Sequence, residues 1–477
     1  MTVLAIDQGT SGTKALVVDD DGAVIGLAEE VIRPHYLPGG GVEQDPNELL
    51  ASVINTGRDA LAAAGGAAVS AVSIANQGET VLVWDGDTGE PLSQAIVWQD
   101  RRAEQMCRVH PEPKAWISGK TGLKLDPYFS APKMAWLRAN ITRSGVVSTT
   151  DTWLAHHLTG AFVTDTATAS RSLLTSLDTA DWDDALLRFF GLADEAMPTI
   201  VANDAVVGTT DAFGVPTALA GLIVDQQAAL LAQRCLDAGT AKCTFGTGTF
   251  LLTNVGAEPV RPSAGLTCSV AWNLRGKTTY CVDGQAYTTA SAIRWITDLG
   301  LISDATELDG VAADDSGGVL FVPALAGLAA PWWRPDATAS LSGMTLSTTR
   351  GHIVTSVLNG LAAQTAELLN AANAELATPL NALRVDGGLS RSARLMQAVA
   401  DLTGLPVEVY PSAHATAIGA AACARLACDP ALSIQDAIPM WMPSVTYEPR
   451  WSRDRAADHQ HRWRAAAEAS LSPGEHL

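Results

Sequence analysis

The sequence predicts an α/β protein made of two copies of one domain that face each other across a cleft. The first observation is the opening stretch. An apolar run at Val3–Ile6 ends on Asp7, a turn carries Gly9, Thr10, Ser11 and Gly12, and Lys14 precedes a second apolar run at Ala15–Val18. An Asp-Asp-Asp-Gly turn at Asp19–Gly22 then leads into a third run at Ala23–Ala28, so the stretch reads as a β-meander. The second observation is a repeat of this pattern at 242–254, KCTFGTGTFLLTN, where Gly246, Thr247, Gly248 and Thr249 separate two strand-like runs. The third is Asp386-Gly387-Gly388, which closes the strand Ala382–Val385, with Ser390 before a helix. Glycine turns at the head of successive halves suggest a duplicated unit with an anionic ligand held between the copies.

The first turn has the chemistry of a phosphate and metal site. Gly9 and Gly12 let backbone N–H groups approach anionic oxygens, and Thr10, Ser11 and Thr13 add hydroxyls. Asp7 is placed to hold a metal-bound water, and Lys14 offers a point charge. After the meander, Asp45-Pro46 starts a helix, with Asp at the N-cap and Pro at N1. Leu49, Leu50, Val53, Ile54 and Leu61 then follow at helical spacing until Gly65-Gly66. Val69–Ala75 and Val81–Trp84 read as strands, and 351–374 as a long amphipathic helix. The first domain is expected to run from residue 1 to about 234, and the second from 235 to the end. A charged tail begins near residue 448, with Trp451 and Trp463 as docking anchors and Ser472–Leu477 disordered.

Composition narrows the class. A chain of 477 residues, 47% hydrophobic, is too long for one core and calls for two domains with a cleft. Lys and Arg number 31 against 51 Asp and Glu, a net charge of −20 that disfavours nucleic acid and anionic membranes as partners. The seven cysteines are odd in number and show no Cys-x-x-Cys spacing, so they read as reduced thiols of a cytoplasmic protein. No secretory signal and no membrane span are expected.

An ordered series of blocks resembles the FGGY carbohydrate kinases, and within them the glycerol kinase branch. It comprises DQGTSGTK (7–14), GGVEQDP (40–46), NQGETVLVWD (76–85), AIVWQDRR (95–102), TGLKLDPYFSAPKMAWL (121–137) and DTWLAHHLTG (151–160). GLIVDQQAAL (221–230), FGTGTF (245–250), GLAAPWWRPDA (327–337) and RVDGGLS (384–390) complete it, over roughly residues 1–445. The resemblance implies two duplicated actin/hexokinase/Hsp70-like (ribonuclease H-like) domains flanking a catalytic cleft. It also implies ATP and Mg²⁺ as cofactors, a small polyol or sugar as acceptor, and a homo-oligomer, dimer or tetramer.

Residue by residue, the resemblance makes Asp225, at the end of the apolar run Leu222–Val224, the base that takes the acceptor's hydroxyl proton. Helix capping is the other use of an Asp at such a point. Glu79, Trp98, Tyr128, Gln226 and Phe250 would hold the substrate, polar groups reading hydroxyls and aromatic faces covering C–H groups. Thr10, Ser11, Lys14, Gly246, Thr247, Gly387 and Gly388 would meet the nucleotide's phosphates, and Asp7 the metal. Ala290, Ile293, Arg294 and Ser392 fall on the adenine side, where Ala290, Arg294 and Ser392 depart from the family's usual glycine, glutamine and asparagine. Trp84, Trp136, Trp153, Trp295, Trp332 and Trp333 read as structural.

The largest departure is Gly78. The glycerol kinase branch carries there an arginine that grips terminal hydroxyls. Its loss predicts a roomier pocket and a four- or five-carbon polyol or ketose. Glycerol itself, or a xylulose-type ketose, is the alternative acceptor. An actin-like or sugar-sensing ATP-binding protein is the non-enzyme alternative, since the fold alone does not decide function.

Overall fold

The computed structural model describes residues 1–109 and 114–471; the disorder expected at Ser472–Leu477 lies outside them. Two mixed sheets carry the architecture, and they share one plan. In the first, Val3–Gln8, Gly12–Val18 and Val24–Val31 form the antiparallel meander. Ala71–Asn76 joins Val3–Gln8 in parallel, Thr217–Val224 joins Ala71–Asn76 in parallel, and Val206–Thr210 closes the edge antiparallel.

The second sheet repeats this order. Ala241–Phe245, Thr249–Gly256 and Lys277–Ala286 are its antiparallel strands, and Thr267–Leu274 adds a fourth. Leu383–Asp386 and Val407–Val409 follow in parallel on the other side, and Val445–Tyr447 closes the edge antiparallel. The expected duplication is therefore present as strand order. In both sheets the glycine turn that joins the first two strands sits at the same corner, so both turns open toward one cleft.

Local chemistry explains most element starts. Asp45 accepts the Asn47 N–H at 2.8 Å with Pro46 at the first helical position, and the helix runs Pro46–Ala63. Thr349 and His352 make a reciprocal cap for the 25-residue helix Arg350–Ala374. That helix packs on the second sheet in a core that includes Val354, Leu358, Leu361 and Val385. The tail is ordered through Arg453–Ala469; Trp463 is fully buried and donates to Phe321 O at 2.8 Å. Trp451 stays partly exposed, stacked under the Arg455 guanidinium at 4.1 Å.

A smaller five-stranded sheet of the first domain, built from His35–Leu37, Gly41–Gln44, Ala95–Ile96, Val81–Trp84 and Val146–Thr149, delivers Trp98 to the cleft. One element of the second half crosses over to the first. Helix Ala415–Cys428 comes late in the chain, yet Ala417, Ala421 and Ala424 pack against Val3, Ala5 and Ala220 of the first sheet. It crosses helix Asp225–Ala232 so closely that a Cβ on Gly419 would lie 2.0 Å from Ala228 O. Only glycine permits that crossing. Among the described residues no helix is long and apolar enough to cross a membrane.

Candidate active site

A cavity of about 1210 Å³ lies between the halves. The turn after Val3–Gln8 forms one wall. Gly9 N–H bonds to Gly12 O at 3.0 Å, and a relay of amides fixes the tip. Gln77 Nε2 donates to Gln44 Oε1 at 2.8 Å, and Gln44 Nε2 donates to Thr10 O at 2.8 Å. Trp98 Nε1 donates to Thr10 Oγ1 at 2.8 Å, which ties the phosphate-type turn to the substrate wall. The facing turn is held by Gly246 N–H to Gly248 O at 2.9 Å, and it receives the N–H groups of Thr289 and Ala290.

Asp225 is the first residue of helix Asp225–Ala232, directly after strand Thr217–Val224. Its Oδ1 accepts the Gln226 N–H at 2.6 Å. Burial pushes its carboxyl above the usual range, while Lys242, the Gln226 N–H and Arg171 oppose the shift. Asp7 goes further and is raised to about 7, first by burial and then by the Asp225 charge, with Lys14 acting against both. Asp386 is also raised by burial, and Thr244 Oγ1 donates to it at 2.5 Å. Lys242 lies among these groups, fully buried, its Nζ bonded to Gln226 Oε1 at 2.5 Å and Thr244 Oγ1 at 2.9 Å. Asp7 thus feels the charges of both Asp225 and Asp386, but of the three only Asp225 lines the cavity, and among the described residues their oxygens do not converge on one point.

The substrate wall is aromatic and acidic. Trp98 makes edge contacts with Tyr128 (5.6 Å between centroids) and with Phe250 from the second half (5.8 Å). The Tyr128 turn is rigid because the buried Lys133 ammonium donates to the carbonyls of Pro127, Tyr128 and Phe129 at 2.8, 2.6 and 2.7 Å. Glu79 is buried, has φ of 58°, and is paired with Arg171. Gly78 lines the cavity beside it, and a Cβ there would meet only Val224 Cγ2, at 2.9 Å.

Of the residues singled out in the sequence, the cavity brings together Thr10, Ser11, Gly78, Glu79, Trp98, Tyr128, Asp225, Gln226, Gly246, Thr247, Phe250, Ala290 and Arg294. Others stand off. Lys14 does not line the cavity; it lies between Asp7 and Glu29 in strand register and pairs with Glu29 at 3.3 Å. Ile293 is packed into the second core at 3% exposure. Ser392 caps helix Ala393–Thr403 and donates to Asp309 Oδ1 at 2.6 Å. Gly387 has φ of 93°, and a Cβ there would strike the Phe245 carbonyl oxygen at 2.5 Å, so the second loop requires glycine for close packing.

Sequence reasoning missed four groups. Trp295, read as structural, lines the cavity while stacking on Phe321 at 5.7 Å. Arg171, Asp283 and Tyr287 also line it. Arg171 Nη1 lies 3.1 Å from Asp283 Oδ2, so this buried arginine bridges Glu79 of the first half and Asp283 of the second.

Two duplicated α/β domains, a glycine turn from each and a carboxylate between them define a phosphotransferase that uses an alcohol group as acceptor. Comparison with known proteins agrees. Residues 2–232 match the N-terminal domain, and residues 241–428 the C-terminal domain, of the FGGY family of carbohydrate kinases. The chain belongs to that family. It is 40% identical to the glycerol kinase of Bordetella parapertussis over 491 residues, 98% of this chain and 97% of that protein. It is 40% identical to the glycerol kinase of Thermus brockianus over 484 residues, 98% of each chain. Among solved structures, Plasmodium falciparum glycerol kinase with ADP matches at a TM-score of 0.91 and 31% identity, over 98% of each chain. The xylulose kinase of Lactobacillus acidophilus shares the fold at a TM-score of 0.89 and 20% identity, over 99% of each chain.

Proposed function

We propose that the chain is an ATP-dependent kinase that phosphorylates a hydroxyl of a small polyol or ketose of four or five carbons, with Asp225 as general base. The observation that carries this reading is Asp225 itself, a carboxylate of raised proton affinity at a strand end, inside a cavity lined by both glycine turns. A sugar hydroxyl is a very weak acid, so its proton must leave as attack begins. Oδ1 is engaged by the helix N–H, and Oδ2 receives that proton. Glu79, Tyr128 and Gln226 orient hydroxyls, while Trp98 and Phe250 cover the C–H faces and exclude water. The turns at Thr10–Ser11 and Gly246–Thr247 hold the phosphates of ATP, with Gly387 and Gly388 at the same corner and Ala290, Ile293, Arg294 and Ser392 on the adenine side. Lys14 contributes through its field on Asp7.

Asp7 is the residue that fits Mg²⁺: burial and the negative charges of Asp225 and Asp386 keep its proton on, and a divalent cation would relieve that repulsion. Asp7 would hold it through water, and the ion would supply charge neutralisation at the transferring phosphoryl group. A proton balance tests this. In the free protein Asp7 loses stability as pH rises from 3.8 through about 7, because the folded state keeps the proton longer than the unfolded one. Mg²⁺·ATP binding at about pH 6 is therefore expected to release up to roughly one proton per site, and the release should fade above about pH 8. Calorimetry in buffers of different ionisation enthalpy reads it, and Asp7→Asn should abolish it.

Substrate size follows from Gly78, which lines the cavity and puts no side chain into the space where added carbons would lie. The second reading is glycerol as acceptor, favoured by Arg171, which keeps a guanidinium in the same pocket. Comparing kcat/KM for glycerol, tetritols, pentitols and C4–C5 ketoses decides between them. We extend the reading to a cytoplasmic homo-oligomer; six of seven thiols are buried, and Val24, Ile25 and Leu27 are exposed on the outer strand.

A further inference from the structure

Arg171 lines the cavity at 6% exposure, whereas the other arginines of the lining, Arg33 and Arg294, are exposed. Three neighbours fix its guanidinium. Nε pairs with Glu79, Nη1 lies 3.1 Å from Asp283 Oδ2, and Nη1 donates to Ser269 Oγ at 3.4 Å. The guanidinium carbon also sits 5.7 Å from the Tyr128 ring centroid, so cation–π attraction holds it against the substrate wall. Asp283 is itself anchored, accepting from Thr267 Oγ1 at 2.8 Å. Nη2 makes no hydrogen bond among the described residues. It is not enclosed by protein and is left open to the cavity, where a ligand hydroxyl would accept from it.

The charges complete the argument. Two carboxylates flank one guanidinium, so the group offers acceptors and a donor side by side. A hydroxyl both donates and accepts, and a pair of neighbouring hydroxyls matches this set. Gly78 contributes no side chain here, which leaves Arg171 as the buried cationic donor of the lining. We propose that Arg171 reads the acceptor's hydroxyls in this protein, and that Asp283 is its positioning residue, reaching in from the opposite half of the chain. Recognition then depends on both halves being engaged, since Glu79 and Asp283 belong to different sheets' domains. The proposal rests on the polyol or ketose kinase reading above.

The test compares the full-length wild type with Arg171→Met, Arg171→Lys and Asp283→Asn. It measures KM for the best polyol or ketose, KM for ATP, and the rise in melting temperature caused by that polyol without nucleotide. Arg171→Met is expected to raise the polyol KM about 10–100-fold and to abolish the melting shift, with KM for ATP within about 3-fold. Arg171→Lys should recover part of the loss. Asp283→Asn, which keeps the shape, should raise the polyol KM about 3–10-fold. An unchanged polyol KM and melting shift in Arg171→Met overturns the proposal, as does an equal loss for polyol and ATP. If Arg171→Met does not fold, an unchanged polyol KM in folded Asp283→Asn overturns it. In either case the wild type's polyol turnover leaves the kinase reading standing; a wild type that phosphorylates no polyol or ketose refutes both.

Discussion

Asp225→Asn is expected to lower kcat by about 10²–10⁴-fold while polyol and ATP still bind, the usual share of a general base. The amide keeps the volume of the carboxylate, and its oxygen still accepts the Gln226 N–H at Oδ1. It loses the ability to take a proton at the other oxygen. Polyol and ATP KM values should therefore move little, and the loss should appear in kcat. Steady-state kinetics with a coupled ADP assay reads both. Near-normal turnover in the folded mutant would show that the proton leaves by another route and that Asp225 is only the start of its helix.

Gly78→Arg should reverse the order of acceptors. In the wild type a four- or five-carbon polyol or ketose is expected to exceed glycerol in kcat/KM; in the mutant glycerol should lead. The swing should be about 1–3 kcal/mol on each side, the scale at which filling a pocket and adding donors sets specificity. The change requires a local adjustment. Gly78 lies outside the left-handed region, but its Cβ would meet Val224 Cγ2 at 2.9 Å, so the buried valine must shift by a few tenths of an ångström. The new guanidinium would enter a pocket that already holds Arg171, so part of the swing comes from like-charge repulsion that Glu79 and Asp283 offset. Circular dichroism and a melting curve establish that the mutant is folded before its kinetics are read. A wild type that prefers glycerol over every larger acceptor would contradict the roomy-pocket account.

What the sequence made legible is what short stretches encode. The meander at Val3–Val31, the Asp45-Pro46 helix start and the two Gly-Thr turns depend on residues a few positions apart, and each formed where its pattern placed it. Their repetition also disclosed the duplication, because each half's first sheet corner is built from the same local chemistry. Arg171 was not legible. Its partner Glu79 is 92 residues away and Asp283 lies on a strand of the other half, so no local pattern marks it. The one available signal was an arginine in the apolar-flanked run SRSLL, which is also what a surface turn looks like. Helix Ala415–Cys428 hid its destination for a different reason. Its alanine-rich faces are apolar on nearly every side, so the pattern does not say that one face packs on the distant first sheet. Lys14 illustrates the converse, since proximity in sequence to a phosphate-type turn suggested a phosphate contact. The strand's alternation instead aims it along the sheet surface toward Glu29.

The account's central claim is phosphoryl transfer from ATP to a polyol or ketose hydroxyl in the cleft between the two halves. Its most direct test is the stoichiometry of ADP against phosphomonoester formed by the wild-type protein with Mg²⁺·ATP and a C3–C5 polyol and ketose panel. The account predicts one ADP for each phosphorylated acceptor, with little ADP formed when the acceptor is omitted. ADP release that is independent of every polyol and ketose, with no phosphorylated product, would contradict it.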